Sequence, residues 1–94
     1  MTSEDVKTLK KGDLVGVTKE FTVRYDGFSH MTGEFLFASG HSGHIKDVFP
    51  SHNDHSEDYK FRIVLPISST VSVIIPQSGR EIMKHFGCLE AEHL

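Results

Sequence analysis

The chain has few of the residues that cross-link or interrupt structure: among its 94 residues there is one cysteine, no tryptophan and three prolines. A lone Cys88 excludes an intramolecular disulfide, a two-cysteine redox motif and a cysteine-built zinc ribbon. No stretch approaches the roughly 18 apolar residues of a membrane span, and residues 1–13 contain no apolar run of the signal-peptide kind. These absences lead us to expect a soluble protein of the reducing cytoplasm with no membrane partner. Charge of neither sign dominates, because the formal net charge is only −3. That balance argues against both a general polyanion binder and a carboxylate-coated mimic of nucleic acid.

Catalytic signatures are also missing. The sequence holds no phosphate loop, no Gly-x-Gly-x-x-Gly and no His-Glu-x-x-His. His85 precedes Cys88 by three positions, but Gly87 between them is expected to end any helix that would bring the two together. Ser42 lies between His41 and His44 without a third group to form a triad. No catalytic residue is assigned, and the chain reads as a non-enzyme.

What is present suits one globular domain over residues 1–94: 37% hydrophobic residues, 24% charged residues and seven phenylalanines. Thr2 or Ser3, followed by Glu4 and Asp5, predicts a short helical turn at the start. From Leu14 the pattern has period two. Val15 and Val17 alternate with Leu14 and Gly16, and Phe21, Val23 and Tyr25 alternate with Thr22, Arg24 and Asp26. Asp26-Gly27 signals a turn, and residues 33–38 a strand with Phe35 and Phe37 on one face. A further strand over 44–49 follows the Ser39–Gly43 break. Residues 60–65 and 70–75 predict a hairpin through Pro66–Ser69, its second strand becoming apolar on both faces as if entering the interior. Ser78-Gly79-Arg80-Glu81 is a capping box for a helix over about 78–87, packed by Ile82, Met83 and Phe86 and stopped by Gly87.

Short strands at about ten-residue spacing and one terminal helix predict a mainly β fold. The expected form is a small antiparallel barrel or curved sheet of about five or six strands spanning 13–75, with a short C-terminal α-helix. Leu9-Lys10-Lys11-Gly12-Asp13-Leu14-Val15 resembles the start of the first strand in SH3-like small barrels of the KOW and Tudor kind. Those folds bind nucleic acids, methylated lysines and protein tails, so the resemblance implies a binding module without choosing a ligand.

Three readings of function follow. The first is recognition of a protein partner or self-assembly into a homo-oligomer. Open strand edges, the acidic loop at 53–58 and the tail Glu90–Leu94 could supply the surface, and this reading requires the fewest special residues. The second is DNA or RNA binding through the basic first third, where Lys10, Lys11, Lys19 and Arg24 would meet phosphates and Tyr25 and Phe28 would stack on bases. The third is a metal, zinc by ligand chemistry, held by His41, His44, His52 and His55 with Asp54, Glu57 and Asp58 nearby. The same histidines make the net charge pH-sensitive, although no bistable element is evident for a switch.

Overall fold

Two helices begin by the same device. The Thr2 hydroxyl accepts from the Asp5 amide while the Asp5 carboxylate accepts from the Thr2 amide, opening α1 (Ser3–Thr8). Ser78 and Glu81 exchange the equivalent pair of bonds to open α2 (Gly79–His85). The computed structural model describes residues 1–26 and 32–88. The Asp26-Gly27 turn, Phe28, the side chain of Tyr25 and the tail beyond Cys88 lie outside the described residues.

Between the helices run β1 (Leu14–Val17), β2 (Phe21–Asp26), β3 (Thr32–Phe37), β4 (Ser42–Phe49), a 3-10 turn at Ser56–Asp58, β5 (Lys60–Pro66) and β6 (Ser72–Ser78). A short β7 (Phe86–Cys88) follows α2. The fold is mainly β, as expected, with a short helix near the C-terminal end. The described strands form two sheets and not one closed barrel. An antiparallel five-stranded sheet has the order β6-β5-β4-β1-β7, and β2 and β3 form a separate hairpin.

The period-two readings of β1, β2 and β3 hold for the described side chains, apart from Gly16, which is buried with its neighbours. Val15 and Val17 are buried while Leu14 is exposed, and Phe37 is buried with Phe35 and Val23 partly covered beside it. Phe21 joins the hairpin to the rest of the core, its ring 5.6 Å from Phe37, 5.4 Å from Phe86 and 4.8 Å from His85. Ile45, Phe61, Ile63, Leu65, Ile75 and Ile82 belong to the same buried cluster, with Val6, Leu9 and Tyr59.

Three details differ from the sequence expectation. The strand over 44–49 alternates poorly because the β4–β5 register shifts between Ile45 and Asp47, leaving Lys46 as the extra residue of a bulge. α2 ends at His85, and Gly87 is a strand residue opposite Gly16. A β-carbon on Gly87 would lie 2.9 Å from the Thr18 methyl, so its small size serves the packing of β7 on β1. Lastly, β6 does not enter the interior. It is an edge strand, and Ile74 is 45% exposed. Its second apolar face is open surface.

Candidate binding surface

The register of the large sheet aligns four residues that are far apart in sequence. Leu14 pairs with His44, His44 with Val64, and Val64 with Ile74. Residues opposite one another in adjacent strands share a face, so these four form one row across β1, β4, β5 and β6. Their neighbours Val15, Ile45, Ile63 and Ile75 are buried. The row therefore lies on the opposite, outer face, where Leu14, His44 and Ile74 are exposed and Val64 half-buried.

A groove of about 510 Å³ lies over part of this row, lined by Lys11, Gly12, His44, Ile45, Lys46, Val64, Ser72 and Ile74. Backbone geometry delivers each cation to it. Gly12 takes a φ of +94°, which glycine adopts without steric cost, and the Asp13 carboxylate accepts from the Lys10 amide at 2.9 Å. The Gly12 amide donates to the Ile45 carbonyl at 2.8 Å, and the Ile45 amide donates to Asp13 at 2.9 Å. This turn is thereby fastened to β4, with Lys11 at the rim. Lys46 reaches the same rim through the bulge. Among the described residues no carboxylate lines the groove. On the same face, Asp47 is ion-paired with Arg62, whose guanidinium also lies 6.0 Å from the centre of the Phe49 ring.

The basic residues noted in the sequence are dispersed. Lys11 lines the groove, whereas Lys10 lies 4.0 Å from Asp13 as an exposed ion pair. Lys19 follows the other end of β1, where its amide donates to the His85 carbonyl. Arg24 belongs to the separate hairpin, opposite Glu34.

The four histidines are dispersed too. His41 lies just before β4 against the Phe37 ring, its Nε2 in contact with the Pro66 carbonyl oxygen, while His44 projects from the outer face of the sheet. An odd offset along an extended chain directs two side chains to opposite faces, which separates this pair. His52 and His55 are exposed in the loop after β4. Among the described residues no three His, Cys, Asp or Glu side chains converge as a metal shell requires.

The acidic loop is engaged within the molecule. The Tyr59 hydroxyl donates to Asp54 at 3.0 Å and the Lys7 ammonium lies at 3.4 Å; together they hold the Asp54 carboxyl below its usual range. Glu57 faces Arg80 at 3.8 Å. The loop thus ties α1 to α2 and offers little unpaired negative charge.

Of the groove, the sequence indicated Lys11 as a phosphate contact and His44 as a metal ligand, but not Lys46, Val64, Ser72 or Ile74. The signals available were the doubly apolar character of β6 for Ser72 and Ile74 and the broken alternation around Lys46; Val64 had none. No helix among the described residues is long and apolar enough to cross a membrane. No family model, curated protein or solved structure matches the chain.

Proposed function

We propose that this protein is a non-enzymatic recognition module that holds a polypeptide segment bearing aliphatic and acidic side chains on the outer face of its five-stranded sheet. The supporting observation is the composition of the groove: an apolar floor of Val64 and Ile74 under Lys11, His44 and Lys46, with no acid in the lining among the described residues. In a chain of net charge −3, this local excess of cations selects for carboxylates. The apolar floor selects for side chains that gain from leaving water, at about 25 cal/mol for each Å² buried. The resemblance of Leu9–Val15 to the first strand of SH3-like barrels of the KOW and Tudor kind agrees with a binding role. It would give the Gly12-Asp13 turn the purpose of presenting Lys11.

Nucleic acid fits this surface less well. Among the described residues the lining contains no Phe, Tyr or Trp on which a base could stack, and Lys10, Lys19 and Arg24 lie elsewhere.

Selection of random peptides on the immobilised protein tests the reading. Peptides joining Asp or Glu to Leu, Ile or Val should be enriched, and the double variant Lys11→Glu, Lys46→Glu should reverse the preference toward cationic peptides. Enrichment without acids, identical selections by the charge-reversed protein, or retention of single-stranded RNA in place of peptides would overturn it.

A further inference from the structure

The open edge of β6 has a hydrogen-bonding pattern that can be read from its hairpin. The Ile67 amide donates to the Val71 carbonyl at 2.9 Å, so these residues face each other through their backbones. In an antiparallel ladder such pairs recur at every second position. Val73, Ile75 and Gln77 therefore turn their backbone groups toward Leu65, Ile63 and Phe61, while Ser72, Ile74, Pro76 and Ser78 turn theirs to the open side. Two observations agree with this parity. Pro76 has no amide hydrogen to give and lies at an outward position, where β5 loses nothing. The Ser78 amide donates to the Glu81 carboxylate at 2.8 Å and not to β5.

The outward groups at both ends of the strand are already engaged. The Pro76 carbonyl accepts from the Gln77 side-chain amide at 2.9 Å, and at the other end the Thr70 amide donates to the Ser68 hydroxyl at 3.3 Å. What remains, among the described residues, is a window of two residues, Ser72 and Ile74, each presenting one N–H and one C=O, with Val73 at its centre.

From this window we infer that two copies of the chain pair antiparallel through their β6 edges, about a two-fold axis at Val73. Ser72 of each copy then exchanges both backbone bonds with Ile74 of the other, giving about four intermolecular hydrogen bonds that use every donor of the window. Val73 meets its own counterpart on the inner face, where it is only partly covered in one copy. The two Ile74 side chains lie diagonally across the axis on the outer face, within reach of one another. A second copy is favoured over a foreign strand by charge. Residues 63–79 contain no Asp, Glu, Lys or Arg, so two-fold pairing places no like charges opposite each other, and the edge offers no charge by which to select a different partner. The pairing extends the sheet in its own plane; because Ser72 and Ile74 also line the groove, it is tested by mass and amide exchange, readouts that do not depend on peptide binding.

Sedimentation of the whole chain over a wide concentration range, together with amide hydrogen exchange, tests this inference. The mass should rise from 10.6 kDa toward twice that value. The Ser72 and Ile74 amides should become protected as it rises, while Val73 and Ile75 stay protected throughout. Ile74→Pro removes an outward donor without touching the β5–β6 ladder, as Pro76 already does two residues on, and should abolish association while the Val73 and Ile75 amides remain protected. Ile74→Lys, which keeps the backbone donor and opposes two charges near the axis, should weaken association by about tenfold or more. A mass of 10.6 kDa up to millimolar concentration, or association with Ser72 and Ile74 still exchanging freely, would refute the pairing. Undiminished association of the Ile74→Pro protein would refute it equally.

Discussion

Gly79→Ala isolates the seam that joins α2 to the rest of the molecule. On local grounds the change should help, because alanine at an early helical position is favoured over glycine by about 0.5–1 kcal/mol. Gly79 does not have the positive φ that would make alanine strained. Its surroundings argue the other way. A β-carbon there would lie 1.8 Å from the Ser56 carbonyl oxygen and 2.8 Å from the Ser56 carbonyl carbon, and both are backbone atoms that no rotamer change can move. The Gly79 amide meanwhile donates to the Tyr59 carbonyl at 2.7 Å, holding the helix start against the 3-10 turn. The helix and the turn must separate by more than an ångström, with loss of that bond. Overpacking of this kind costs about 1–3 kcal/mol, and a buried hydrogen bond about 1 kcal/mol more. After the gain in helix propensity is subtracted, we expect a net destabilisation of about 2 kcal/mol. In a domain of this length that lowers the melting temperature by roughly 8–16 °C. Urea and thermal unfolding followed by circular dichroism read both quantities. A variant as stable as the parent, or more so, would show that α2 does not approach the Ser56 backbone and would undo the placement of the acidic loop between the helices.

Other substitutions probe separate contacts. Ser78→Ala removes the hydroxyl that accepts from the Glu81 amide at 3.2 Å and should lower the urea-unfolding free energy by about 1 kcal/mol. Phe37→Ala, at a site 1% exposed, should cost about 4 kcal/mol, whereas Leu36→Ala, 62% exposed on the other face of β3, should change stability by less than about 0.5 kcal/mol. Equal effects would mean that the hairpin is not docked by its Phe37 face. His85 titrates below the ordinary histidine value of 6.5, chiefly because burial disfavours its charged form and secondarily because Lys84 is near. The unfolded chain then binds the proton more readily than the folded one, so stability should fall as pH drops below about 6.5 and keep falling until the folded imidazole is itself protonated. Unfolding free energies from about pH 7.5 to about pH 5.5 should show this slope, and His85→Asn should flatten it.

Elements fixed by short-range rules were legible in the sequence. The Ser78–Glu81 capping box placed the start of α2 near Ser78, which is its N-cap, and simple alternation found β1, β2, β3 and the β5–β6 hairpin. Features that depend on distant pairing were not legible. Leu14, His44, Val64 and Ile74 form one row only through three registers, and nothing local to any of them announces it. The bulge at Lys46 obscured β4, the strand that carries the centre of the groove. The histidine spacing suggested a metal shell because it counts positions, whereas an extended chain sends His41 and His44 to opposite faces.

The two edges of the large sheet differ in a way that bears on function. β7 is three residues long, and a short strand offers little template to a stray chain. β6 is seven residues long and uncharged, with Ile74 exposed within it and Ile67 and Val71 exposed before it. Among the devices that protect sheet edges it has Pro76 and little else. An edge protected only by shortening its hydrogen-bonding window is not closed to pairing. It is restricted to one short register, because a partner strand that slips by two residues meets the missing donor of Pro76 at one end or the engaged amide of Thr70 at the other. Restriction of register, without the charges that would forbid pairing altogether, is the arrangement expected of an edge that is used.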